Sequence, residues 1–124
     1  MILEYLSDVF NTWTGTDHAE VKKTVLSSTA QAVSSGEIIG IEYIIGNATA
    51  AITMTFNLYD THSVLIHTKA TIAKNTTTVE RVKYIVTTTA TIPIFGEGFV
   101  IGFDPSDDSG TVKITGQVRI YYEV

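Results

Sequence analysis

The chain has 124 residues, 44% of them hydrophobic and 17% charged, which suits one domain with its own core and leaves little for a second. A net charge of −5, with Lys22–Lys23 as the single adjacent basic pair, argues against a surface built to gather phosphate backbones. There is no cysteine, so neither a disulfide nor a thiolate-bound metal staples the fold.

Met1 to Glu20 differs in texture from the rest of the chain and reads as an N-terminal arm or extension, residues 1–20, ahead of a domain over residues 21–124. Ile2, Leu3, Leu6, Val9 and Phe10 fit a short amphipathic helical turn, a strand or turn on the chain's own domain, or an arm docked on a neighbouring subunit. No positive n-region or continuous apolar run marks a signal peptide. The longest apolar run, Ile38 to Ile45, is broken by Gly40 and Glu42, far short of the roughly 20 residues of a membrane helix.

From Val21 onward β signals recur at intervals of about ten to twelve residues. Val21, Val25 and Leu26 suggest a first strand, and Glu37 to Ile45, apolar on both faces in part, suggests a central one. Ala51 to Tyr59 alternates cleanly, with Ile52, Met54, Phe56 and Leu58 on one face. Asp60 to Ser63 reverses the chain into a paired fourth strand, whose Val64, Ile66 and Ile72 are expected on the core side. Lys74 to Thr78 is polar, and Val82, Tyr84 and Val86 open a fifth β segment. Pro93 confines Ile92 to Ile94 to an edge or a crossing between sheets.

Phe99, Ile101 and Phe103 alternate next, then Asp104 to Gly110 gathers turn-forming residues. Thr111 to Glu123 closes the chain with Val112, Ile114, Gly116, Val118, Ile120 and Tyr122 on one face, so the end reads as a hairpin needing cover. The expected fold is all-β: an antiparallel, jelly-roll-like β-sandwich of about seven to eight strands.

Chemistry is sparse in this pattern. Asp60 and His62 share a turn with His67 nearby, but turn formation is reason enough for an aspartate there. Asp104, Asp107 and Asp108 offer oxygen ligands without the spacing or closing glutamate of a calcium loop. Glu80 and Arg81, adjacent and so on opposite strand faces, read as solvated charges. No catalytic residue, cofactor or metal ligand is assigned. Trp13, Tyr59, Tyr121 and Tyr122 have the ring types that stack on sugars.

Order of segments says more than any single residue. The run from Ser34 to Val124, with its Asp-tipped reversal after Tyr59, its Pro-then-Gly passage, and the closing Gly110-Thr111-Val112-Lys113-Ile114 and Arg119-Ile120-Tyr121-Tyr122-Glu123, resembles the small β-sandwich virion structural proteins of tailed bacteriophages. That resemblance implies a non-enzymatic capsid decoration or cement subunit, or a neck, tail or baseplate component, made in the host cytoplasm and carried in the virion. Its implied partners are copies of itself, a trimer for example, and virion proteins such as the major capsid protein; nucleic acid and membrane are not among them. Phe10, Trp13, Phe95, Tyr121 and Tyr122 are candidate interface anchors. The alternative is a carbohydrate- or receptor-binding sandwich module of a tail or baseplate.

Overall fold

The computed structural model describes residues 2–11, 19–25, 36–81, 92–94 and 98–123, the backbone alone at 36 and 92–94. Among these residues there are nine strands and no helix: β1 (Ile2–Leu6), β2 (Val21–Val25), β3 (Gly36–Ile45), β4 (Thr53–Tyr59), β5 (Leu65–Ala73), β6 (Thr76–Arg81), β7 (Ile92–Ile94), β8 (Phe99–Pro105) and β9 (Gly116–Glu123).

Four antiparallel pairings are nested: β1 with β9, β2 with β8, β3 with β6, and β4 with β5. They describe one long hairpin whose tip is the reversal after Tyr59, where the Asp60 carboxylate accepts the backbone N–H groups of His62 (2.8 Å) and Val64 (2.9 Å). The hairpin is rolled on itself, because β9 also pairs with β3 and β8 with β4. Two sheets result, β1-β9-β3-β6 with β7 set against the start of β3, and β2-β8-β4-β5. That is a β-sandwich of jelly-roll topology, eight strands in the roll and a short ninth beside it.

Between the sheets lie the rows that strand alternation aims inward. Met54, Phe56 and Leu58 meet Ile101 and Phe103 on their own sheet and Ile41, Tyr43, Val118 and Ile120 on the facing one, all fully buried. Each such side chain contributes about 1.5–3 kcal/mol by leaving water. Rings run through this core in sequence, Phe10 to Phe103 at 5.0 Å, Phe103 to Phe56 at 5.5 Å and Phe56 to Tyr43 at 5.1 Å. Opposite them Gly116 supplies the close approach they require, since a Cβ there would stand 2.6 Å from Cδ1 and 2.7 Å from Cγ of Phe103.

Several expectations are corrected. No terminal hairpin forms: β8 and β9 lie in different sheets and face each other across the core, so the chain between them crosses from one layer to the other. β9 begins at Gly116, and Val112 is 48% exposed because Thr49 captures its backbone N–H (2.7 Å) before the strand starts. Val64 is also exposed, held in the Asp60 turn rather than in β5. A strand occupies Thr76–Arg81, starting inside the Lys74–Thr78 stretch read as polar; an edge strand has no need of an apolar row. Of the readings left open for the first residues, the strand holds for Ile2–Leu6, which pairs with β9, and the helical turn does not. The segment containing Val82, Tyr84 and Val86, and Leu26, lie outside the described residues.

Candidate functional site

Of the five candidate anchors, Trp13 and Phe95 lie outside the described residues. Phe10 (5% exposed) and Tyr122 (1%) belong to the core, so their rings serve this fold and are not presented to a partner. Of the three described candidates, Tyr121 points outward, half-buried, because it is out of phase with Tyr122 on β9.

Around Tyr121 the outer face of the β1-β9-β3-β6 sheet is built by register. Glu4, Tyr121, Gly40 and Arg81 form one row across four strands, and Leu6, Arg119, Glu42 and Val79 form the next. Gly40 leaves a gap in the first row, and a β-bulge between Ile38 and Gly40 inserts Ile39 beside it. Ile2, Ile39, Gly40, Val79, Arg81 and Tyr121 therefore line a shallow depression of about 280 Å³. Ile2 (60%) and Val79 (58%) are among the most exposed large apolar residues described. Next to it Arg119 bridges Glu4 (3.0 Å) and Glu42 (3.2 Å), and the bond to Glu42 leads the effects that raise its pKa.

A second feature lies where the sheets part, between the β5 and β6 edges. Phe56 pairs with Lys69 and Leu58 with His67, so both basic side chains of β5 take core-side positions at the margin. Across the gap, Glu80 of β6 is likewise turned inward, opposite Ile41. Its Oε1 accepts the Tyr43 hydroxyl at 2.8 Å and lies 2.7 Å from His67 Nε2, which therefore carries the proton as donor. Burial favours the neutral acid, but the bonds from His67 and Tyr43 and the charge of Lys69 outweigh it, and the Glu80 pKa is lowered. The same contact, after burial, pushes the Tyr43 hydroxyl pKa far up. Three strands are tied at this point by one carboxylate. The sequence reading missed it, since Glu80 resembles any edge charge until Tyr43 is known to lie beneath it.

Remaining polar groups hold segments in place. On the outer face of the second sheet the Glu20 carboxylate accepts Asn57 Nδ2 (2.7 Å) and the Tyr59 hydroxyl (2.8 Å), lying over Gly102, which has no Cβ to obstruct it. Burial, then the bond and charge of Glu20, push the Tyr59 pKa up to about 12. Asp107 accepts the N–H of Asp108, and Asp108 that of Gly110, so these carboxylates shape their own turn. Asp60 and His62 meet only through the backbone bond already described. No cluster of three or more His, Cys, Asp or Glu side chains able to hold a metal occurs among the described residues.

No family model and no curated protein matches the chain. Among solved structures it is similar to a chain of the cyanophage Pam1 capsid asymmetric unit, with 16% identity, a TM-score of 0.49, and coverage of 98% of this chain and 83% of that one. It is also similar to a chain in the structure of infectious bursal disease virus, Gx strain, with 13% identity, a TM-score of 0.43, and coverage of 97% of this chain and 32% of that one.

Proposed function

We propose that the chain is a non-enzymatic virion structural protein of a tailed bacteriophage, a capsid decoration or cement subunit that associates with copies of itself and with the capsid surface. The observation that carries this reading is the outer face of the first sheet, where Ile2, Val79 and Tyr121 surround the Gly40 depression. Apolar side chains exposed together on a rigid sheet gain most by meeting another surface. Among the described residues, the Asp60 and Asp108 carboxylates cap turns and the Glu80–His67 pair joins strands, which supports a reading through contacts. Jelly rolls serve in viral capsids, an analogy at the level of fold, and the Gly110–Ile114 and Arg119–Glu123 segments resemble virion proteins.

Two measurements test it. Antibody raised against the chain should label intact particles purified from the source, and sedimentation equilibrium should return a mass above that of one chain. Val79→Asp, which places a charge in the depression, should lower that mass and detach the protein from particles. Absence from purified particles overturns the virion assignment. An unchanged assembly in Val79→Asp overturns the assignment of the face.

A further inference from the structure

Strands at a sheet edge carry a row of backbone N–H and C=O groups that invite pairing, and proteins usually guard them. On β2 the guard is Lys22 and Lys23, and the Lys23–Asp8 ion pair (2.8 Å) ties that side of the sandwich. On β5 it is two register shifts and the core-side placement of His67 and Lys69. β6 has neither. It pairs with β3 without a register shift from Thr76 to Arg81, and no strand lies on its other side among the described residues.

Beside this edge the two sheets part into a groove of about 490 Å³, with Lys69 and Thr71 on the β5 wall, Thr76, Thr78 and Glu80 on the β6 wall, Arg81 at its rim, and Tyr43 at its base. Thr71 has φ 59°, the left-handed kink of the β5 register shift between Lys69 and Ile72. In a chain of net charge −5 this groove sets two cations, Lys69 and Arg81, against one carboxylate, Glu80. Glu80 is held by Tyr43 and His67 and feels the charge of Lys69, while Arg81 makes no ion pair among the described residues. Among the described residues no ring is offered for sugar stacking there, since Tyr43 is wholly buried.

We propose that the β6 edge receives an extended acidic segment of a partner protein as an added strand, its backbone pairing with Thr76–Arg81 and its carboxylates meeting Arg81 and Lys69. Main-chain bonds supply affinity in this mode, and the two cations select for acidic side chains. The inference does not rest on the virion reading: Val79 and Arg81 border both the depression and the groove, so the two are told apart at Lys69, which borders the groove and not the depression, and at Tyr121, which borders the depression and not the groove.

The test uses fluorescence anisotropy with a labelled octapeptide alternating valine and aspartate. The wild-type chain should bind it saturably, more weakly as salt rises, with amide shift changes confined to β5 and β6. Lys69→Glu with Arg81→Glu, both at exposed positions, should weaken binding by at least about tenfold, while Lys22→Glu with Lys23→Glu on the opposite side should not. A peptide of the same charge, N-methylated at alternate residues in either phase, should lose binding in one phase. No binding of the acidic peptide overturns the proposal. Equal binding by the Lys69→Glu/Arg81→Glu variant overturns the site, and equal binding of both N-methylated peptides overturns strand addition.

Discussion

Gly116→Ala places one methyl group in the most crowded part of the interior. The added Cβ would stand 2.6, 2.7 and 2.9 Å from Cδ1, Cγ and Cε1 of Phe103, about 1 Å inside the usual carbon–carbon contact. Phe103 has no room to retreat, because Phe10 and Phe56 press on it at ring distances of 5.0 and 5.5 Å and it is fully buried. Overpacking of this kind costs about 1–3 kcal/mol. Urea unfolding followed by circular dichroism should show a lower midpoint with the slope unchanged, meaning lost stability with no change in the surface exposed. Phe103→Leu should itself destabilise, yet in that background Gly116→Ala should cost less, with a coupling of about 0.5–3 kcal/mol, because the smaller side chain frees the space the methyl needs. A loss below about 0.5 kcal/mol for Gly116→Ala alone, or the same loss with leucine at 103, would refute the argument that these two positions face each other across the core.

Other outcomes rest on the polar contacts. Glu80 has a pKa lowered from its ordinary value of 4.5, so the unfolded chain binds its proton more readily; the stability it contributes is present above 4.5 and is lost as pH falls through the folded value. Glu80→Gln should flatten this part of the acid limb of stability against pH, and an unchanged limb would show that the carboxylate is not held as described. Tyr59, pushed up to about 12, should titrate closer to 10 in Glu20→Gln, as read by tyrosinate absorbance, and no downward move would place the cause in burial alone. Asp60→Ala leaves the N–H groups of His62 and Val64 without that acceptor and should cost about 1 kcal/mol in urea unfolding, with circular dichroism unchanged in shape.

Strand alternation made the inward rows legible: Met54, Phe56 and Leu58, and Val118, Ile120 and Tyr122, are buried as their spacing requires. Periodicity states which face of a strand is apolar and leaves open which strand lies beside it. Phe99 to Phe103 and the closing strand thus looked like a hairpin while belonging to opposite layers. β6 escaped notice for a related reason, as an edge strand spends threonines where a central strand needs isoleucines. Val64 and Val112 were misplaced because a side-chain oxygen, from Asp60 or Thr49, holds each outside its strand, which starts at Leu65 in one case and Gly116 in the other. At the surface, Tyr121 was recoverable from its phase against Tyr122. The Glu80–Tyr43–His67 junction was not, since Glu80 and Tyr43 meet through the β3–β6 pairing and His67 reaches them from the facing sheet, neither of which alternation states.

Nesting of the strand pairs sets Ile2 directly opposite Glu123. Residues so paired have Cα atoms about 5 Å apart, a gap that a few glycines and serines bridge. Linking them and cutting the loop at Thr61–His62 would give a circular permutant in which all nested pairings survive and the old hairpin tip becomes a pair of free ends. Tags or cargo fused there would project from the pole where the roll begins.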